Sequence, residues 1–162
     1  MPESKFACLA LLEDEACQLY EVMVAKSEDP AVSLLLDVIL QESRTHRELF
    51  RHASSICEHT SSSLADCSKQ MGTLFVHSVE FIRSIRIQVS DGMPIDEAAG
   101  KLVKFEEDVA NEEDVTLLYA SLTSIATLDI VMKRILGGIA QDERHHAELL
   151  RLILDLKKHV AS

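Results

Sequence analysis

Apolar residues recur every three to four positions along nearly the whole chain, and strand-like alternation is almost absent. That period predicts amphipathic helices. The first helix is expected from Ser4 to Ser27, with a stripe of Phe6, Leu9, Ala10, Glu13, Ala16, Cys17, Tyr20 and Val24. Asp29-Pro30 interrupts it, and Pro30 suits the first turn of a new helix, where its missing N–H costs nothing. The second helix then runs to Cys57 on a stripe of Leu35, Leu36, Ile39, Ser43, His46, Leu49, Phe50 and Ala53. A turn of a few residues makes the two antiparallel.

A polar loop follows at about His59 to Ser68, then a middle helix over about Gln70–Val89 with Met71, Leu74, Phe75, Ser78, Phe81, Ile82 and Ile85 on one face. SDGMP ends it, and Pro94 opens a third main helix reaching Leu122, with the stripe Leu102, Phe105, Val109, Glu112, Val115 and Tyr119. The fourth, from Leu128 to Val160, carries Leu136, Ile139, Glu143, His146, Leu149, Leu150 and Ile153. Gly137-Gly138 inside it costs about 1 kcal/mol per glycine relative to alanine. Close approach of a neighbouring helix and simple tolerance account for the pair equally well. The expected architecture is a single all-α domain over residues 1–162. Two antiparallel hairpins (4–57 and 94–160) are joined by a long crossover (58–93) with a helix of its own, which makes a four-helix bundle.

Composition changes this picture little. Five glycines and three prolines in 162 residues agree with helices, and the absence of tryptophan calls for an aliphatic core. The net charge of −11 argues against nucleic acid, whose phosphates need a basic patch. It suits solubility or the handling of cations. FACLALL is short and leads into EDE, so no leader peptide is expected, and no apolar run is long enough to span a membrane. A cytoplasmic location follows as the expectation. The four cysteines form no C-x-x-C pair, which excludes a zinc knuckle. Cys8 and Cys17 read as small core residues. Cys57 and Cys67 flank the polar loop, where reduced thiols are favoured over a disulfide in a reducing cytosol.

The chemistry lies in what interrupts the stripes. Glu13 stands seven residues before Tyr20, and Glu112 seven before Tyr119, so each glutamate shares a helix face with its tyrosine. QESRTHRELF at 41–50 returns as QDERHHAELL at 141–150, which places His46 and His146 on equivalent faces. Glu143 lies one turn before His146 on the same side. A lone histidine or glutamate on such a face is usually a satisfied core residue or an edge residue. Four helices each offering a ligand at mid-stripe are not. Buried carboxylates need compensating charge, and a metal ion compensates several at once. His145 points about 100° away from His146. His77, Glu80, His52, His59 and the acidic run FEEDVANEEDV, including Glu106 and Glu113, are expected mainly at the surface.

On Glu13–Tyr20, Gln41–Phe50, Glu112–Tyr119 and Gln141–Leu150, the chain resembles the ferritin-like superfamily, in the style of its rubrerythrin and bacterioferritin branch. The resemblance implies a di-iron carboxylate centre. In it Glu13 and Glu112 are terminal ligands, Glu143 is a bridging ligand, and His46 and His146 are imidazole ligands. Tyr20 and Tyr119 hydrogen-bond across the bundle and, with Glu143, take part in catalysis. Iron, or manganese in its place, suits such oxygen-rich ligation. Oxygen or peroxide is the implied oxidant, in ferroxidase or peroxidase-like chemistry. Without the four-cysteine iron site of rubrerythrins, the electron donor has to be external. A homodimer is expected.

Ser43 departs from the pattern, since it holds the place of a second bridging glutamate. Three outcomes stay open. Glu42, four residues before His46 as Asp142 is before His146, rotates in and completes a two-metal site. Otherwise a single metal or an asymmetric pair binds, or the site has decayed. The rival reading is a helical scaffold acting through an exposed helix face.

Overall fold

The computed structural model describes residues 3–56, 63–110 and 129–160. Among these it shows six helices and no strand: α1 Glu3–Lys26, α2 Pro30–Ile56, α3 Leu64–Met71, α4 Thr73–Ser90, α5 Ile95–Ala110 and α6 Asp129–Val160.

Local chemistry sets the corners. Asp29 caps α2 by accepting from the N–H groups of Ala31 (2.9 Å) and Val32 (3.3 Å), with Pro30 in the first turn as expected. The expected loop at 59–68 is shorter than the polar composition suggests. Ser63 caps a helix inside it, taking the Asp66 N–H at 3.2 Å and donating to the Asp66 carboxylate at 2.6 Å. The middle helix is broken in two at Gly72, whose φ of 85° lies in the left-handed region that glycine enters without steric cost. The buried face of α4 is therefore Phe75, Val79, Ile82, Ile85 and Val89, and the stripe residue Leu74 is exposed. Leu49 on α2 is also exposed.

α1 packs on α2, α3 and α4, α5 packs on α6, and α2 meets α6. Ion pairs give the directions. Glu21 faces Arg44 while Asp14 faces Arg47, so α1 and α2 are antiparallel. Gly100 faces Leu154 and Glu107 pairs with Arg151, so α5 and α6 are antiparallel too. The antiparallel pairs α1–α2 and α5–α6 meet through α2 and α6, consistent with a helical bundle. The crossover helix α4 lies along α1. The Glu15 carboxylate, buried on α1, takes Arg83 at 2.6 and 2.8 Å on one oxygen and Arg86 at 3.2 Å on the other. Phe81 of α4 stacks on Phe105 of α5 with ring centroids 5.2 Å apart. With neighbours on several sides, α1 is the interior helix. Leu19, Tyr20, Met23 and Cys17 join Leu36, Ile39, Ile85, Leu102 and Leu150 in the main core.

Two cysteine expectations need correction. Cys8 is not a free core thiol but is bonded to Cys67, because α3 packs on α1 and brings the two Cα atoms to 5.5 Å. Cys67 is therefore neither reduced nor paired with Cys57, which lies outside the described residues. Such bonds persist in oxidising compartments, which runs against the cytosolic expectation. Cys17 is free and buried, and burial pushes its thiol up to about 11. Gly137 and Gly138 are exposed, and no atom among the described residues lies within 4 Å of a Cβ added at either, so the pair reflects tolerance. No helix among the described residues is long and apolar enough to cross a membrane.

Candidate metal centre

Four helices place five ionisable side chains at one level of the bundle. Among the described residues two groups form that could each hold a metal ion: Glu13, His46 and Glu143, and Glu106, Glu143 and His146. Within each group the ligand atoms lie within 4.8 Å of one another. Glu143 belongs to both. One of its oxygens is 3.4 Å from His46 Nδ1, and the other is 3.4 Å from His146 Nδ1. Glu13 approaches His46 Nδ1 at 3.5 Å. The two imidazole rings stand 6.1 Å apart and are almost wholly buried.

The outer edges of the rings are fixed by carboxylates from the opposite hairpin. His46 Nε2 donates to Asp142 at 2.9 Å, and His146 Nε2 donates to Glu42 at 3.0 Å. An ionised carboxylate only accepts, so each Nε2 carries the proton and each Nδ1 is the atom turned inward. This crossed bracing holds both rings in the orientation a metal ligand needs. Glu42 thus sits on the outer nitrogen of His146, away from the two groups, with His145 at 3.7 Å on the surface side. Among the described residues His46 Nδ1 has only these two longer ion-pair contacts, to Glu13 and Glu143, and no shorter hydrogen bond.

The electrostatics follow from crowding acids in a dry site. Burial, with the charge of Glu143 nearby, raises Glu13 and raises Glu106 well above the ordinary carboxylate range. Burial also pushes Glu143 up, but the two imidazoles outweigh it and hold Glu143 well below that range. Burial lowers His46, yet the carboxylates of Glu13 and Glu143 more than offset this and carry it up to about 11. His146 is raised in the same way, by Glu143 and Glu42 against the effect of burial. The metal-free centre therefore holds protons where metal ions would replace them.

Tyr20 is buried and donates to Glu106 at 2.8 Å, linking α1 to α5. Burial and the Glu106 carboxylate raise the phenol well above its usual value. The hydrogen bond across the bundle expected of Tyr20 is present, and its acceptor is Glu106. The surface reading of Glu106 is thereby corrected, for only 5% of it is exposed. One turn beyond Leu102, and two beyond Ala99, Glu106 continues the buried face of α5. Glu112 and Tyr119 lie outside the described residues. Exposed His77, Glu80 and His52 take no part.

Ser43 is buried on α2, three residues before His46, just as Glu143 stands three before His146. It lines a cavity of about 80 Å³ that the carboxylates of Glu13, Glu106 and Glu143 also line. Comparison of the chain with known protein families, curated proteins and solved structures gives no match.

Proposed function

We propose that this is a ferritin-like protein that binds two metal ions, iron in preference and manganese in its place, between its hairpins. The observation that carries the reading is the pair of three-residue groups sharing Glu143. Each supplies one inward nitrogen, one carboxylate of its own and one oxygen of the shared carboxylate. One glutamate from each of two helices, with a Glu-x-x-His turn from another, is the ligand plan of di-iron carboxylate bundles. Here the fourth helix offers Ser43-x-x-His46 instead. Carboxylate and imidazole ligation favours iron and manganese over copper(I) or a four-thiolate zinc site.

Held by Glu13, His46, Glu106, Glu143 and His146, a ferrous pair would supply the two electrons that, with two protons, convert peroxide to two waters. The chain's own residues hold and orient the ligands, exclude water with the apolar walls of Phe50, Phe105, Leu136 and Ile139, and keep a phenol proton next to Glu106 at Tyr20. An external donor would have to return the electrons. The same carboxylates and imidazoles also make a buried ion-pair network, and that observation favours a second reading, a scaffold with no metal. Anaerobic titration with Fe(II), followed by oxygen or peroxide, separates the two. The parent chain is expected to bind two Fe(II) and to oxidise them. Glu143→Ala, which removes a ligand from both groups, is expected to lose both properties. Equal behaviour of parent and variant would leave only the scaffold.

A further inference from the structure

We infer that the space left by Ser43 is a binding site for a short monocarboxylate of the formate and acetate class. The inference rests on the two-metal reading. Ser43 occupies on α2 the position Glu143 occupies on α6, but its side chain is shorter by a methylene and a carboxylate. The cavity beside it is several times what one water needs. Its polar lining is Ser43 together with Glu13, Glu106 and Glu143, so it touches members of both groups. The rest of its lining is apolar and includes Leu9, Phe50, Leu136 and Ile139. Each group offers three donor atoms, and iron or manganese accepts up to about six, so positions stay open.

Charge points the same way. Two divalent ions would bring four positive charges, and the three carboxylates of these groups among the described residues would return three. Asp142 and Glu42 lie beyond the imidazoles and are partly exposed, where solvent screens them. One further anion balances the centre. A monocarboxylate has the two oxygens a missing glutamate would have supplied, and its alkyl stub meets the apolar wall. Binding is reversible and involves no redox step.

Calorimetric titration of the metal-free full chain with Mn(II) tests this, in chloride buffer and again with sodium formate, acetate or propionate. Acetate is expected to tighten the second Mn(II) about tenfold when present at about ten times its own dissociation constant. Acetate should act more strongly than formate, because of the apolar wall. Ser43→Glu supplies its own carboxylate, so it is expected to take two Mn(II) in chloride alone and to ignore acetate. Should that variant fail to fold by circular dichroism, Ala140→Leu serves, since Ala140 lines the cavity. It is expected to keep the Mn(II) binding seen in chloride and to lose the acetate response. Two Mn(II) bound with the same affinity in every buffer would overturn this site and leave the metal reading intact. So would a variant that responds to acetate as the parent does. No Mn(II) bound in any buffer would overturn both.

Discussion

Asp142 and Glu42 brace the imidazoles from the facing helix. Each accepts from the outer nitrogen of the histidine on the facing helix and aims the inner nitrogen at Glu143. Asp142→Asn and Glu42→Gln are each expected to weaken metal binding by about 10- to 100-fold while helix content by circular dichroism stays unchanged. The first should act at the Glu13–His46 group and the second at the Glu106–His146 group. Proton occupancy gives a second prediction. In the folded, metal-free chain His46 holds its proton up to about 11, whereas unfolded it releases near 6.5. Its contribution to stability is therefore complete below pH 6.5 and is lost as pH rises toward 11. Glu13 and Glu106, raised in the fold, act in the same direction, because ionising them there costs more than in the unfolded chain. Glu143, held down, contributes above its ordinary value of 4.5 and loses that contribution as pH falls. Thermal melts of the metal-free protein should fall from pH 6.5 toward pH 10, and saturating Mn(II) should flatten that slope. Metal affinity should rise with pH by about tenfold per unit for each proton displaced. At this scale Glu13, His46, Glu143 and His146 were readable because each breaks an apolar stripe. Glu106 was not, because FEED resembles a solvated acidic run and the Glu-x6-Tyr echo drew attention to Glu112. The spacing from Ala99 and Leu102 was the available signal.

Helix α4 is held to α1 by a buried carboxylate with two guanidinium partners. Arg83 and Arg86 are partly exposed, but Glu15 is not, so losing the arginines strands a charge in the interior. Arg83→Ala combined with Arg86→Ala is expected to cost about 3 kcal/mol in urea denaturation. Adding Glu15→Gln should restore part of it, because no buried charge is then left unpaired. The helices themselves were legible from period and caps, Asp29-Pro30 above all. The break at Gly72 was not, since apolar spacing continues across it from Met71 to Phe75. Nor was the turn of α4 that buries Val79 and exposes Leu74, because that face is selected by docking on α1 and by the Cys8–Cys67 cluster with Phe75. The short helix α3 was hidden by its serines, which act as a cap and not as loop filler.

Over the whole molecule, one covalent link spans 59 residues and encloses all of α2. By loop-closure entropy such a link stabilises the fold by about 4 kcal/mol. Urea unfolding with and without reductant should show a loss of that order, and Cys67→Ser should match the reduced parent. The pairing was beyond reach of the sequence, because it depends on where α3 docks and not on the distance between cysteines along the chain. The doubled phrase at 41–50 and 141–150 was, by contrast, a direct sign of two helices that bring His46 and His146 to one place. If such helices were separate identical chains meeting about a true axis, any change at one bridging position would be copied at the other. Written as one polypeptide, the two are free to drift apart. Serine on one side and glutamate on the other give the centre a front and a back, a polarity open to a fused chain and closed to a symmetric pair.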